Sequence, residues 1–235
     1  MYVMDVVDPF QRNSIVLNLI RSLKMICNGP SHYSTEDPHQ APEYSGKMEV
    51  LFDLLDDMFE NNKKCLIFTQ FKVMGDLLQK WIDERTGFRP EFIHGGVSAE
   101  SQAKMVEKFQ SRRDERCIIL SLKAAGTGLT LTAASAVIHY DLWWNPAVED
   151  QATDRAYRIG QKENVQVYRL ICANTFEEKI NDIINSKKDL ADITVNVGEK
   201  WIGDLSNRQI EDIFTFSSEK ARKEIESQEA DRETV

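Results

Sequence analysis

Residues 117–146 read CIILSLKAAGTGLTLTAASAVIHYDLWWNP. Two apolar runs in this stretch, Cys117–Leu120 and Ala136–Tyr140, have the length of strands and little polar face, the mark of strands covered on both sides. Small, polar and flexible residues separate them. A helix opens at Asn145 with Pro146 in its first turn, where a missing N–H costs nothing. Outward in both directions the alternation continues. Upstream, Cys65–Phe68 and Phe92–Ile93 are strand-like, Val73–Ile82 has helical spacing, and Ser98 caps a helix carrying Met105, Val106 and Phe109. Downstream, Val165–Ile171 is a fifth strand, and Thr175 with Glu178 forms a capping box ahead of Phe176, Ile180, Ile183 and Ile184. This predicts an α/β fold, a parallel β-sheet with helices on both faces. In such sheets ligands sit outside the carboxyl ends of the strands.

The flanks are helical. Residues 14–27 carry an apolar helical pattern that Asn28, Gly29 and Pro30 stop. Residues 29–46, with Pro30, Pro38 and Pro42, read as a surface loop. Ser45 caps a helix with Met48, Leu51, Phe52, Leu55, Met58 and Phe59 at helical spacing. The reading therefore divides the chain into a helical lead-in and loop (1–46), an α/β body (47–190), a helical extension (191–216) with Trp201, Leu205, Ile210, Ile213 and Phe214, and an acidic, frayed or disordered tail (217–235).

Composition bounds the function. The chain has 235 residues, 42% hydrophobic and 29% charged, enough to bury a core and typical of a globular protein. No apolar run approaches the ~20 residues that cross a bilayer, and no basic region precedes an apolar stretch at the start, so neither a membrane nor a secretory signal is expected. Cys27, Cys65, Cys117 and Cys172 form no CxxC pair, which argues against a zinc framework and for a reducing compartment. The net charge is −9, but residues 35–60 and 207–235 carry it, leaving a near-neutral body that still has room for a local basic stripe.

Short polar segments follow each strand: Thr69-Gln70-Phe71, His94-Gly95-Gly96, Ser121 through Leu129, and Asp141 through Pro146. Gly126-Thr127-Gly128 lets a phosphate or a nucleic-acid backbone come close, or is an ordinary tight loop. His94, followed by glycines, reads as a turn histidine. Trp143 and Trp144 point opposite ways in extended backbone, one toward the core and the other toward a contact surface or as a lid on the edge of the sheet. Gln151, Arg155 and Arg158 stand at i, i+4, i+7, one face of a helix. Two guanidinium groups that close suit an intervening polyphosphate. The same spacing also suits a solvated face with an Asp154–Arg158 pair. The chain has no GxxxxGK[ST] phosphate loop and no DExx stretch closing a hydrophobic strand, so the arginines and the glycine loop make half a nucleotide site.

Together CLIFTQF (65–71), FIHGGVS (92–98), ILSLKAAGTGLTLTAAS (119–135), VIHYDLWWNPAVEDQATDRAYRIGQ (137–161) and VQVYRLICANTFEEKI (165–180) resemble the second RecA-like lobe of the Swi/Snf family of helicase-like DNA translocases. LIRSLKMICNGP (19–30) and SGKMEVLFDLL (45–55) are similar to that family's approach to this lobe. The resemblance implies that ATP binds in a cleft against a first RecA-like lobe, which supplies the phosphate loop and the acidic residues for magnesium. No metal ligand is expected on this chain. Arg155 and Arg158 would be arginine fingers to the γ-phosphate, with Gln151 ordering the cleft and Gly126, Thr127 and Gly128 near the nucleotide. Thr69, Gln70, His94, Gly95, Gly96, Lys123, Thr130 and Trp144 would contact double-stranded DNA, through its backbone and independently of sequence. Gln102 departs from the family, which commonly has arginine there, and removes one charge from the expected DNA path. The implied location is the nucleoid in a prokaryote or the nucleus in a eukaryote.

A second reading, from a different class, is a non-catalytic module that binds nucleic acid, or a basic protein through residues 35–60 and the acidic tail. A dinucleotide-binding enzyme is discarded: the first strand runs into Thr69-Gln70-Phe71-Lys72 with no glycine before Gly75. Standing alone, the chain is expected to fold and to hydrolyse no ATP.

Overall fold

The structure, a computed structural model, describes residues 8–34, 45–125, 128–143, 146–156, 164–188 and 205–214. The chain divides into two compact units, Leu19–Ile171 and a second formed by Met1–Asn18 with Cys172–Val235. The lead-in helix α1 (Pro9–Asn28) runs through the boundary between them.

Within Leu19–Ile171 all five expected strands form: β1 (Cys65–Thr69), β2 (Glu91–Ile93), β3 (Cys117–Ser121), β4 (Ala136–His139) and β5 (Gln166–Arg169). They build one all-parallel sheet in the order β2-β3-β1-β4-β5. This is the RecA-like α/β fold expected from the sequence. The central strand pairs Cys65 with Cys117 on one side and with Ala136 on the other. The strand order reverses at β1, so the carboxyl ends of β1, β3 and β4 frame the crevice where such sheets bind ligands.

Strand alternation assigns each side chain to a layer. Cys65, Ile67, Cys117, Ile119, Ala136 and Ile138 pack with α3 (Gly46–Glu60) and α4 (Lys72–Thr86). Leu66, Phe68, Ile118, Leu120 and Val137 pack on the other face with α5 (Ala99–Ser111), α6 (Leu122–Ala125) and Ala152 of α7 (Pro146–Thr153). A Cβ on Gly75 would lie 2.1 Å from Cζ of Phe92, so only glycine lets α4 seat on β2. Cys65 and Cys117 are free, buried thiols, and burial pushes the Cys117 thiol well up, as suits inert core sulfur.

Three local expectations change. The 29–46 loop begins with a helical turn, α2 (Pro30–Tyr33), that buries Ser31 and His32; residues 35–44 lie outside the described residues. The fifth strand is not covered on both faces: among the described residues it sits at the sheet edge with one pairing partner, and Val167 is exposed. At α8 (Phe176–Lys188) the capping box is shifted by one residue. Thr175 accepts from the Glu177 N–H at 3.2 Å, while Glu178 accepts from Asn174 at 3.0 Å.

In the second unit α9 (Asn207–Phe214) buries Ile210 and Ile213, while residues 191–204 of the expected extension lie outside the described residues. Its Phe214 ring lies 6.3 Å from that of Phe176. Arg12 donates to the Asn207 side chain at 3.0 Å and to the Leu205 carbonyl. The acidic tail (217–235), like Trp201, lies outside the described residues.

Candidate functional site

The carboxyl ends of β1 and β4 meet at a buried carboxylate. Asp141 is fully buried. Its Oδ1 accepts from the Gln70 backbone N–H at 2.8 Å, and its Oδ2 from Asn28 Nδ2 at 3.1 Å and from the Thr69 hydroxyl. Lys24 Nζ donates to the Leu142 carbonyl at 3.2 Å and to Gln70 Oε1 at 3.4 Å, and Gln70 Nε2 donates to the same Leu142 carbonyl at 3.1 Å. Lys47 Nζ reaches Asn28 Oδ1 at 3.3 Å, while the Tyr140 and Ser45 hydroxyls donate to the Asn28 carbonyl at 2.7 and 3.0 Å. The lead-in helix is thus bonded into the strand tips. In the sequence Lys24 and Lys47 fall within helical patterns and Asn28 reads as a helix stop, and nothing in that spacing marks them as one cluster.

This network assigns work to the Thr69-Gln70 pair. Thr69 is fully buried and its hydroxyl is occupied by Asp141, so a phosphate contact from that side chain requires the bond to break. The Gln70 amide is also turned inward, leaving this loop's exterior to its backbone and to exposed Lys72. Beyond β2, His94 Nδ1 accepts from the Gly96 N–H at 3.0 Å, the turn arrangement expected of it. Gly95 and Gly96 are exposed beside it. A Cβ on Gly96 would come within 2.9 Å of the His94 ring, which ties that glycine to the turn.

After β3, the Ser121 hydroxyl caps α6 by accepting from Ala124 N–H at 3.3 Å. Gly126, Thr127, Trp144 and the Lys123 side chain lie outside the described residues. Gly128 is exposed with φ +76°, a left-handed conformation that favours glycine, and Thr130 is exposed. Trp143 is partly buried and packs against the core.

Gln151 and Arg155 do not share one helical face. The α-helix ends at Thr153, and the next bonds are tighter, Arg155 N–H to Ala152 at 3.2 Å and Ala156 N–H to Thr153 at 3.0 Å. Ala152 and Ala156 are both fully buried on the side that packs against the sheet. Gln151 stays exposed on the helix, whereas Arg155 turns inward to 7% exposure. Arg155 Nε is buried and, among the described residues, has no hydrogen-bond partner. Arg158 lies outside the described residues.

Helix α7 is fastened to the sheet by polar contacts. Arg169 Nε donates to Glu149 Oε2 at 3.0 Å, and His139 Nε2 lies 3.3 Å from the Thr153 hydroxyl. His139 stacks on Phe68, and its Nδ1 has no partner among the described residues. A buried lone pair is cheaper to orphan than a buried N–H, which assigns the Nε2–H tautomer. Burial, then Arg169, lowers its pKa from 6.5 to about 4. His32 falls to about 4 as well, through burial partly opposed by Asp141.

Both histidines therefore enter the folded state neutral. Between about pH 4 and 6.5 the unfolded chain binds the more protons, so stability rises with pH across that window and is complete above it. We expect urea unfolding at pH 5 to give a stability lower than at pH 7 by roughly 1–2 kcal/mol per histidine. The His139→Asn variant should lose about half of that slope. A flat profile from pH 5 to 7 would refute the buried neutral assignment.

The lobe is thus a parallel α/β sheet with exposed glycines beyond β2 and β3 and a buried arginine after α7. Residues 46–160 match the helicase conserved C-terminal domain family. The chain is 44% identical over 209 residues to the putative ATP-dependent helicase/translocase YwqA of Bacillus subtilis, a match covering 88% of this chain and 22% of that protein. Among solved structures it resembles the Sulfolobus solfataricus SWI2/SNF2 ATPase core in complex with double-stranded DNA, with TM-score 0.80 and 34% identity over 91% of this chain and 44% of that one. It also resembles the C-terminal domain of the Sulfolobus ATPase, with TM-score 0.77 and 31% identity over 92% of this chain and 87% of that one. The chain belongs to the SWI2/SNF2 family, as the C-terminal domain of its ATPase. It spans about a fifth of the length of the Bacillus relative.

Proposed function

We propose that this chain is the second lobe of a DNA-dependent ATPase that translocates on double-stranded DNA, closing on ATP held by a first lobe. The observation that carries the reading is Arg155, a buried guanidinium whose Nε lacks an acceptor, in the stretch QATDRAYRIGQ (151–161). An orphaned buried N–H costs ~1–3 kcal/mol, and a γ-phosphate oxygen would satisfy it. The planar fork of arginine fits phosphate oxygens and stabilises charge that grows in the transition state. Arg158, two turns past Gln151, is assigned the second finger, and Gln151 the ordering of the cleft. Magnesium, held by acids of the first lobe, would neutralise the β- and γ-phosphates.

DNA contact falls to Gly95, Gly96, His94, Lys123, Thr130 and Trp144, with the Gly126-Thr127-Gly128 loop close to the nucleotide. Thr69 and Gln70 act by shaping their loop from within. Phosphate contacts predict binding that is independent of sequence and weakened by salt. The exposed acids of α3, Glu49, Asp53 and Asp57, would suit a basic protein partner.

The test is a chimera in which this chain replaces the matching segment of the Bacillus relative. We expect ATP hydrolysis stimulated by duplex DNA, suppressed by raised salt, and absent from the 235-residue chain alone. A chimera that folds and shows no DNA-stimulated hydrolysis would remove the reading. Turnover by the chain alone would place the whole site here.

A further inference from the structure

Gln110 lies in the last turn of α5, outside every motif considered above. Its side-chain amide lies against the segment Thr130–Ala133. Oε1 accepts from the Ala133 N–H at 2.7 Å. Nε2 donates to the Thr130 carbonyl at 3.1 Å and lies 3.3 Å from the Thr132 hydroxyl. One amide thus donates and accepts as a neighbouring strand residue would, and it staples both ends of a turn that runs on from Gly128.

The base of this clasp is fixed. Lys64 Nζ donates to the Phe109 and Arg112 carbonyls, fastening the end of α5, and the Lys64 carbonyl accepts from Ser135 N–H at 2.9 Å. Between the two stapled ends, Leu131 donates its N–H to the Arg155 carbonyl at 2.9 Å. The Leu131 side chain is fully buried in the same cluster as Ala152 and Ala156, which flank Arg155. A shift of the segment after β3 is therefore transmitted to the arginine turn through backbone and packing, provided the segment moves as one piece. Gln110, beside the Ala134 N–H bond to the Leu131 carbonyl at 3.2 Å, ties its two ends together.

We propose that Gln110 is a positioning residue that couples DNA engagement by the segment after β3 to Arg155, through its clasp on Thr130–Ala133. This deepens the reading under Proposed function and rests on it. Gln110 need touch neither DNA nor nucleotide.

Two measurements test it. In the chain itself, Gln110→Ala should speed amide hydrogen exchange at Leu131 and Ala133 by about tenfold, the effect of one lost hydrogen bond. In the Bacillus chimera, the same substitution should leave DNA-free hydrolysis within about twofold. It should cut the DNA-stimulated rate at least about fivefold, with the half-saturating DNA concentration unchanged. Gln110→Glu keeps the acceptor for Ala133 and loses the donor to Thr130. It should fall between parent and alanine, and it carries the comparison if the alanine variant does not fold. Basal and stimulated rates that fall together would show a merely structural role, and a raised half-saturating concentration would show a DNA contact; either overturns the proposal. So does unchanged exchange at Leu131 and Ala133. A parent chimera without DNA stimulation defeats the functional reading, while the exchange result still decides the clasp.

Discussion

Replacing Arg155 with alanine in the chimera is expected to lower DNA-stimulated ATP hydrolysis by at least about 10³-fold, the range of a transition-state arginine finger. The guanidinium is placed by tertiary structure: the tightened turn after Thr153 carries it inward, and the buried alanines on either side hold that turn. Arg155→Lys should recover little, because a single ammonium cannot reproduce the planar fork. DNA affinity measured without nucleotide should change less than about threefold. That separates the role from a contact to the DNA backbone, whose loss weakens binding and reduces its salt dependence. Hydrolysis within threefold of the parent would show that Arg155 faces no phosphate and that its buried nitrogen serves the fold alone.

The second large effect is on stability. Asp141→Ala removes the acceptor of the Thr69 hydroxyl, the Gln70 N–H and the Asn28 amide together, in a site closed to water. Each orphaned donor costs about 1–3 kcal/mol, partly recovered by relaxation, so a loss of about 3–5 kcal/mol is expected in urea unfolding at pH 7. Asp141→Asn keeps one carbonyl oxygen, and the Thr69 hydroxyl can turn round to accept from the new amide. We expect roughly half the loss. The alanine variant should also loosen the backbone of Thr69–Phe71, seen as faster amide exchange there, because Thr69 Oγ1 in turn accepts from Phe71 N–H at 3.2 Å. A loss under 1 kcal/mol would mean that the network closes around the gap and that Asp141 does not organise the strand tips.

The layered sheet was readable because its strands are continuous apolar runs and its helices have a clean apolar period. Ser45 and Ser98 accept from Met48 and Ser101 N–H as cap residues should. The edge position of β5 was not readable, since Val-Gln-Val-Tyr-Arg-Leu has the composition of an inner strand and only strand order leaves one side unpaired. The inward turn of Arg155 was missed for a related reason. The i, i+4, i+7 spacing assumes regular helix from Gln151 to Arg158, whereas the helix ends at Thr153 and local spacing carries no signal of that.

What the sequence determined alone is the order of strands and helices, the absence of a phosphate loop, and the residues offered at the strand ends, because each is a property of local spacing and residue chemistry. Tertiary structure alone decided which polar groups are consumed internally and which are left over. Thr69 and Gln70 are spent on Asp141, Lys24 and Leu142, whereas the Nε of Arg155 keeps an unfilled bond. Hydrogen bonds between residues 46 to 113 positions apart have no footprint in local spacing, so the division between scaffold and site appears only once the chain has closed on itself.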